Sequence, residues 1–391
     1  MVTMETADKA LKTFYLDAVV ETLNMEANPF LAQVQKTTMD VSGKEIKKLV
    51  KIGISNGIIA NTETANLPTA GATKYAQFTS TLKNLYGTIE ISDKALRASR
   101  NSDGAFVNLL NNEMDSLVKS AAFTMGRMLY GDGSAKIGKV KEVVSSNTFK
   151  LDNLQNAIEG MQVDIYSATG TIIESLKGRR ISCVNRVDGT ITLDGANINS
   201  GLVAADYTFY VASSKDYELT GLKSIFATTG SLYGLSRTSN PWMKPYIQEN
   251  VGELTENTLQ TALDELEART GDKINFIVCS LGVRRAIAQQ FKKYQHSVDT
   301  MTLNGGFTAL SYNGIPIVAD RFCPAGTMFL LNTKDFKIHQ LCDWEWLEDE
   351  SGNVLKQVPG KAVWTASIVK YADLMCDRPQ GQGMLSGITE A

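Results

Sequence analysis

Between Gly104 and Tyr130 the residues Phe106, Leu110, Met114, Leu117, Ala121, Met125 and Met128 recur at steps of 4, 4, 3, 4, 4 and 3. That is the period of an α-helix, so these side chains form one apolar stripe. Val107, Val118, Ala122 and Leu129 widen the stripe, while Asn108, Asn111, Asp115 and Lys119 fall on the other side. Asp103 precedes the first turn as an expected N-cap, and Gly131-Asp132-Gly133 is expected to stop the helix. At about 1.5 Å per residue the rod is roughly 40 Å long, where a usual helix has about 11–12 residues. A rod of that length in a chain of 391 residues is a scaffold.

The segments around it differ in kind. Residues 5–24 have the pattern of an amphipathic helix, with Leu11, Tyr15, Ala18 and Leu23 on its apolar side. It must end before Asn28-Pro29, after which Phe30 and Leu31 read as an anchor. Glu45–Ile54 and Gln77–Ile91 are strand-like, and the stretch between them is rich in Thr, Ala, Asn and Gly. A compact domain rarely keeps so long a loop without structure. Residues 40–92 therefore read as two antiparallel strands forming an arm with no core, stable only when laid on a partner. Ser92 is expected to cap a short helix leading to the rod.

Residues 139–215 form a β-rich island, with short strands expected at 139–144, 162–166, 171–176, 180–184, 190–193 and 208–211. Asp188-Gly189 predicts a type I′ hairpin, and the island reads as a separate small sandwich or barrel inserted into the main body. Farther on, Thr255–Arg269 is a helix with a partial capping box, Thr255 as cap and Thr258 in place of the usual Glu. Ile274–Cys279 is a buried strand, and Ser280 caps a second helix. Strands then follow at 315–319, 328–332, 336–341 and 364–371, an α/β arrangement.

Chemistry is hard to find. His296 and His339 are the two histidines, and neither has a carboxylate–serine arrangement beside it. None of the phosphate-loop, dinucleotide, nucleophile-elbow or zinc-protease motifs occurs. Gly131-Asp132-Gly133-Ser134 lacks the alternating ligands of a calcium loop. Five cysteines (Cys183, Cys279, Cys323, Cys342 and Cys376) lie far apart, so they read as small apolar thiols in strands. Asp343, Glu345, Glu348, Asp349 and Glu350 surround Trp344 and Trp346; the cluster reads as an acidic, solvent-facing strand end. A sugar or cation site using Asp343 and Glu345 is the enzymatic alternative. Arg284, Arg285, Lys292 and Lys293 share one helix surface, solvated or facing an acidic neighbour. No catalytic, cofactor-binding or metal residues are expected. The net charge of −3 argues against a dedicated nucleic-acid binder. No membrane span or signal peptide is expected, which places folding in the cytosol.

The order of elements is more telling than any residue. Asn28-Pro29-Phe30-Leu31 follows the N-terminal helix, then come Gly71-Ala72-Thr73-Lys74-Tyr75 and the run from Lys83 to Ser92 (KNLYGTIEIS). The rod closes on Gly126-Arg127-Met128-Leu129-Tyr130-Gly131-Asp132-Gly133, and Tyr312-Asn313-Gly314-Ile315-Pro316-Ile317-Val318 enters the last strands. In these pieces the chain resembles the major capsid proteins of tailed bacteriophages, the HK97-like family. The resemblance implies an α+β HK97-like capsid fold, with an N-terminal arm (1–39) and an extended β-hairpin loop (40–92) reaching over a neighbour. It further implies a peripheral domain with the spine helix (93–138, returning at 216–250), an α/β axial domain (251–375) and a C-terminal tail (376–391). The island at 139–215 matches an inserted all-β domain. The implied partners are other copies of the chain, in hexamers and pentamers of an icosahedral head enclosing double-stranded DNA. A scaffolding protein, a portal and a decoration protein are further candidates; a long scaffolding segment before Met1–Ala7 is not expected. The implied place is the virion, assembled in the cytoplasm of a host bacterium. An encapsulin-type compartment enclosing a cargo enzyme shares the resemblance and is the alternative.

Overall fold

A computed structural model describes residues 28–53, 58, 60–64, 66–67, 69, 71–94, 103–199, 201–294, 300–302, 308–348 and 352–391. The helix expected over 5–24 lies outside them. The described chain begins with Asn28, whose Oδ1 accepts from the backbone N–H of Phe30 and Leu31, both at 3.0 Å. That turn drives Phe30 into the core, where its ring meets Phe336 edge-on at 5.4 Å. The anchor expected at Phe30 and Leu31 is present, and both are buried.

Strand β1 (Gln35–Thr37) follows, then β2 (Val41–Ser42), β3 (Glu45–Lys51), β4 (Tyr75–Thr81) and β5 (Lys83–Ser92). β2, β3 and β4 form a small antiparallel sheet. The strand expected over Gln77–Ile91 is broken at Leu82: its first part pairs with β3, its second joins another sheet. Nor is the hairpin without a core. The register pairs Ile46 with Ser80 and Lys48 with Phe78, so these four share one face. That face is turned to the body. Ile46 and Phe78 are fully buried, and Phe78 stacks on Trp242 at 5.9 Å. Lys48 pairs with Asp377 at 2.7 Å, and Ser80 donates to Asp373 at 2.6 Å. Leu49, on the opposite face, is exposed.

Helix α1 (Asp103–Tyr130) is the expected rod. Asp103 is its first residue and not a cap before it. Val118, Ala122, Phe123, Met125, Met128, Leu129 and Tyr130 are buried. Phe322 lies flat enough against the helix that any side chain at Gly126 would strike its ring. Arg127 is buried as well, and its guanidinium makes a two-pronged ion pair with Glu218.

Beyond Gly131 the chain builds a closed antiparallel barrel from β6 (Lys136–Val143), β7 (Thr148–Leu151), β8 (Gln162–Tyr166), β9 (Arg179–Asn185), β10 (Thr190–Leu193) and β11 (Thr208–Val211). It has its own core, in which Phe149, Val163, Ile165, Ile191 and Phe209 are fully buried. The strand expected at 171–176 is replaced by a single bridge from Ile172 to Tyr166 and a short 3₁₀ turn. The hairpin at Asp188-Gly189 is also not type I′. β9 and β10 pair at Asn185 and Thr190, leaving four residues in the loop, with Gly189 left-handed at φ 74°. Asn185 Oδ1 accepts from the N–H of Val187 and Asp188, which favours the longer turn.

The chain then returns to the body through α2 (Leu222–Ile225), β12 (Ser231–Leu232), β13 (Leu235–Ser236) and β14 (Tyr246–Gln248). Next come α3 (Glu256–Thr270), β15 (Phe276–Cys279), α4 (Leu281–Tyr294), β16 (Thr300–Thr302), β17 (Thr308–Tyr312), β18 (Ile315–Ala319) and β19 (Met328–Leu331). β20 (Phe336–Trp346), β21 (Lys356–Gln357), β22 (Val363–Cys376) and β23 (Gly383–Leu385) close the fold. Thr255 caps α3, accepting from the N–H of Thr258 at 3.2 Å, and Gly271 ends it at φ 72°. A seven-stranded sheet runs β14-β23-β19-β15-β18-β17-β16. A second sheet runs β1-β20-β22-β21, with β5 along the other side of β22.

Two expected boundaries give way to this topology. Residues 251–375 are not one unit, because β20 and β22 leave the seven-stranded sheet for the second one. Residues 376–391 are not a tail: β23 lies between β14 and β19, and Leu385 is fully buried. Gly383 permits this, since a Cβ there would sit 2.7 Å from Leu266.

The buried hairpin base yields a prediction. Phe78→Ala, which empties a closed aromatic site, is expected to cost about 3–5 kcal/mol in urea unfolding of the isolated subunit. A loss below about 1 kcal/mol would mean that the base of the hairpin is not anchored.

Candidate functional site

The residues with chemically useful side chains are, in the structure, mostly committed to packing. His296 lies outside the described residues. His339 is fully buried in β20 and its Nδ1 donates to the Met39 carbonyl at 3.0 Å. Cys279, Cys323 and Cys376 are buried, and burial pushes the Cys279 thiol up to about 12. Cys323 lies in a turn, not a strand, and Cys183 is exposed. Asp132 is paired with Lys223 at 2.7 Å. Burial raises its carboxyl, but Lys223 and Ser134 outweigh this and hold it at about 2. Arg284 and Arg285 are exposed, and Arg285 donates to the carbonyl of Ala391; the side chains of Lys292 and Lys293 lie outside the described residues. Among the described residues no cluster of His, Cys, Asp and Glu could hold a metal ion, and no helix is long and apolar enough to cross a membrane.

The acidic tryptophan cluster is not a solvent-facing rim throughout. Trp344 and Trp346 are buried, while Glu345 and Glu348 are exposed; Asp349 and Glu350 lie outside the described residues. Asp343 lies between two cations, Lys370 at 2.6 Å and Lys36 at 2.7 Å. Lys370 is 1% exposed and also donates to Gln340 at 3.0 Å. Burial and the nearby Lys36 lower its ammonium to about 8, although Asp343 opposes the shift. Burial acts to raise the Asp343 carboxyl, but Lys370 and Lys36 together hold it well below the usual range. The knot ties β1 to β20 and β22. Both tryptophans are buried, and Asp343 is taken up by its two lysines.

One carboxylate that the sequence did not single out has the titration of a general acid. Asp320 is 3% exposed and burial pushes it up to about 6, against hydrogen bonds from the Phe322 N–H and the Tyr130 hydroxyl. Those bonds, at 2.9 and 3.0 Å, fasten the end of α1 to the turn after β18. The group is a strut.

What the surface does offer is apolar. The pairing of β3 with β4 ends at Lys51 and Tyr75. Beyond it, Ile58 and Leu67 are each 91% exposed. Tyr75 and Leu49, within the paired part of the hairpin, are exposed as well.

A family model described as the SU10 major capsid protein matches residues 3–353. No curated protein matches the chain. Among solved structures, the capsid asymmetric unit of cyanophage A-1(L) is similar at 13% identity and a TM-score of 0.56, covering 95% of this chain and 93% of that one. The capsid of Myoviridae phage XM1 matches at 7% identity and 0.47, covering 93% and 92%. The capsid of a native GTA particle matches at 12% and 0.47, covering 92% and 90%. At 13% identity the likeness to the cyanophage structure is one of fold.

Two measurements test these assignments. Asp343→Ala strands the buried Lys370 cation and is expected to cost about 3–5 kcal/mol, whereas Lys370→Met removes the cation with its burial cost and is expected to cost less. Equal losses in denaturant titrations would contradict the reading of the knot. Asp320 binds its proton more tightly folded than unfolded, so its contribution to stability is complete below pH ~4 and lost as pH rises through ~6. The loss amounts to roughly 3 kcal/mol, and Asp320→Asn is expected to abolish that part of the pH 4–7 dependence.

Proposed function

This chain belongs to the SU10 major capsid protein family, and from that premise we propose how its parts serve a shell. It is a phage capsid shell protein of HK97-like α+β fold. Copies associate as pentamers and hexamers of an icosahedral head, and the head encloses double-stranded DNA without reading its sequence. Residues 1–39 act as an arm, and α1 is the spine of a peripheral domain formed by residues 93–138 and 216–250. The sheet built on β15 and β19, with α3 and α4, is the axial domain, and the barrel is a domain inserted into this plan. Assembly takes place in the host cytoplasm, with a scaffolding protein, a portal and a decoration protein as candidate partners. We infer no catalytic role.

The observation that carries the reading is the division of the hairpin. Its base is bolted to the body through Phe78, Lys48 and Ser80. Its outer limb holds large aliphatic side chains in water. Such side chains on an isolated limb are a surface awaiting a partner, and in a shell many modest contacts of this kind add up. An encapsulin-type compartment has less support, because the matching family is a phage capsid protein.

Electron microscopy of the expressed protein, alone and with its neighbouring phage genes, is the test. Capsomers, closed shells or polyheads are expected. A monodisperse monomer under every condition would overturn the proposal.

A further inference from the structure

The seven-stranded sheet carries α3 and α4 on one side. Leu259, Leu263 and Leu266 of α3 and Val283 and Ile287 of α4 share a core with Ile277, Ile317 and Leu330 of the strands. The neighbours of Ile277 in β15, Phe276 and Val278, point the other way, into the core that holds α1. The amide of Gln290 in α4 donates to Glu253, just ahead of α3, at 2.8 Å, so the two helices stand close together.

Their outer surfaces are opposite in charge. Residues 253–273 hold six carboxylates (Glu253, Glu256, Asp264, Glu265, Glu267 and Asp272) against two cations, Arg269 and Lys273. Glu256, Asp264 and Glu267 follow one another at steps of 8 and 3, so they line one exposed stripe of α3. Helix α4 holds Arg284, Arg285, Lys292 and Lys293 and no carboxylate. Arg284 and Arg285 are exposed, and Leu281 beside them is 49% exposed. Among the described residues the ion pairs around this sheet use Arg269, Lys273 and Arg378 and leave both α4 arginines out. A surface with a cationic half and an anionic half, both pointing outward, complements a copy of itself turned alongside.

A basic helix suits either a nucleic acid or an acidic protein surface. A polyanion laid on α4 would run within a Debye length, about 8–10 Å, of the α3 carboxylates and be repelled by them. An acidic helix needs a footprint no wider than α4, and Leu281 offers it an apolar contact that a phosphate backbone cannot use.

We propose that the basic face of α4 in one copy of the chain seats on the acidic stripe of α3 in the next. The inference rests on the shell reading and adds a charge-matched contact to it. Each copy gives its α4 and keeps its α3 for a third copy, so the contact is head-to-tail and closes into rings.

The test is charge reversal. Arg284→Glu with Arg285→Glu sets carboxylates against the α3 stripe, and Asp264→Arg with Glu267→Arg sets cations against α4. Each double variant is expected to lower the yield of shells at least tenfold. The four changes together restore opposite charges and are expected to bring the yield back to within about threefold of the unsubstituted chain. A double variant that assembles in normal yield, whether or not it loses DNA, overturns the proposal and leaves the shell reading intact. So does a fourfold variant no better than its halves. Should a reversal fail to fold, judged by circular dichroism of the dissociated subunit, the unsubstituted protein decides. Its assembly rate is expected to fall at least tenfold between about 0.1 and 1 M sodium chloride, and a rate unchanged by salt overturns the proposal. Failure of the unsubstituted protein to assemble under any condition overturns the shell reading itself.

Discussion

The last turns of α1 hold the subunit together. Tyr130 meets the Phe30 ring at 6.4 Å and that of Phe329 at 6.1 Å, and its hydroxyl is fixed to Asp320. One residue stretch thereby joins the entering chain, the seven-stranded sheet and the helix. Arg127, in the same stretch, brings in the barrel by gripping Glu218 on its return stem. A buried ion pair of this kind adds little net stability over an apolar pair of similar size. Its worth lies in direction, because a two-pronged guanidinium–carboxylate contact fixes orientation as well as distance. The barrel is thus held at a set angle, and the amide of Gln155 adds a second tie to the carbonyl groups of Arg321 and Cys323.

From that junction the two sheets take different work. The seven-stranded sheet has α3 and α4 packed on it and a closed apolar core. The second sheet carries the ion knot of Lys36, Asp343 and Lys370, and its edge strand β5 continues directly from the hairpin. Lys370 and Asp373 are tolerated there because each has partners. Asp373, fully buried, accepts from Ser80 and from the backbone and hydroxyl of Thr220.

What could be read from the sequence was whatever depends on neighbours along the chain. The period of α1, the Thr255 cap and the Phe30 anchor are local signals, and each is present. The break at Leu82 was hidden because strand-like residues run on through it; only pairing with β22, nearly three hundred residues away, divides β4 from β5. β23 was missed since Gly383-Met384-Leu385 is short, and its partners β14 and β19 are distant in sequence. The burial of Lys370 has no local signal, as lysines almost never lie fully buried without a partner. Its partners Asp343 and Gln340 are supplied by another strand. The groove between α1, β5 and the barrel stem could not be seen at all, since it is a property of topology.

The joint at Leu82 has one more consequence. β4 ends at Thr81 and β5 starts at Lys83, so a single residue links the root of the hairpin to the second sheet. A pull on the hairpin is delivered within one peptide unit to β5 and, through its ten-residue pairing, to β22. The root of the hairpin and the second sheet are mechanically coupled inside the molecule.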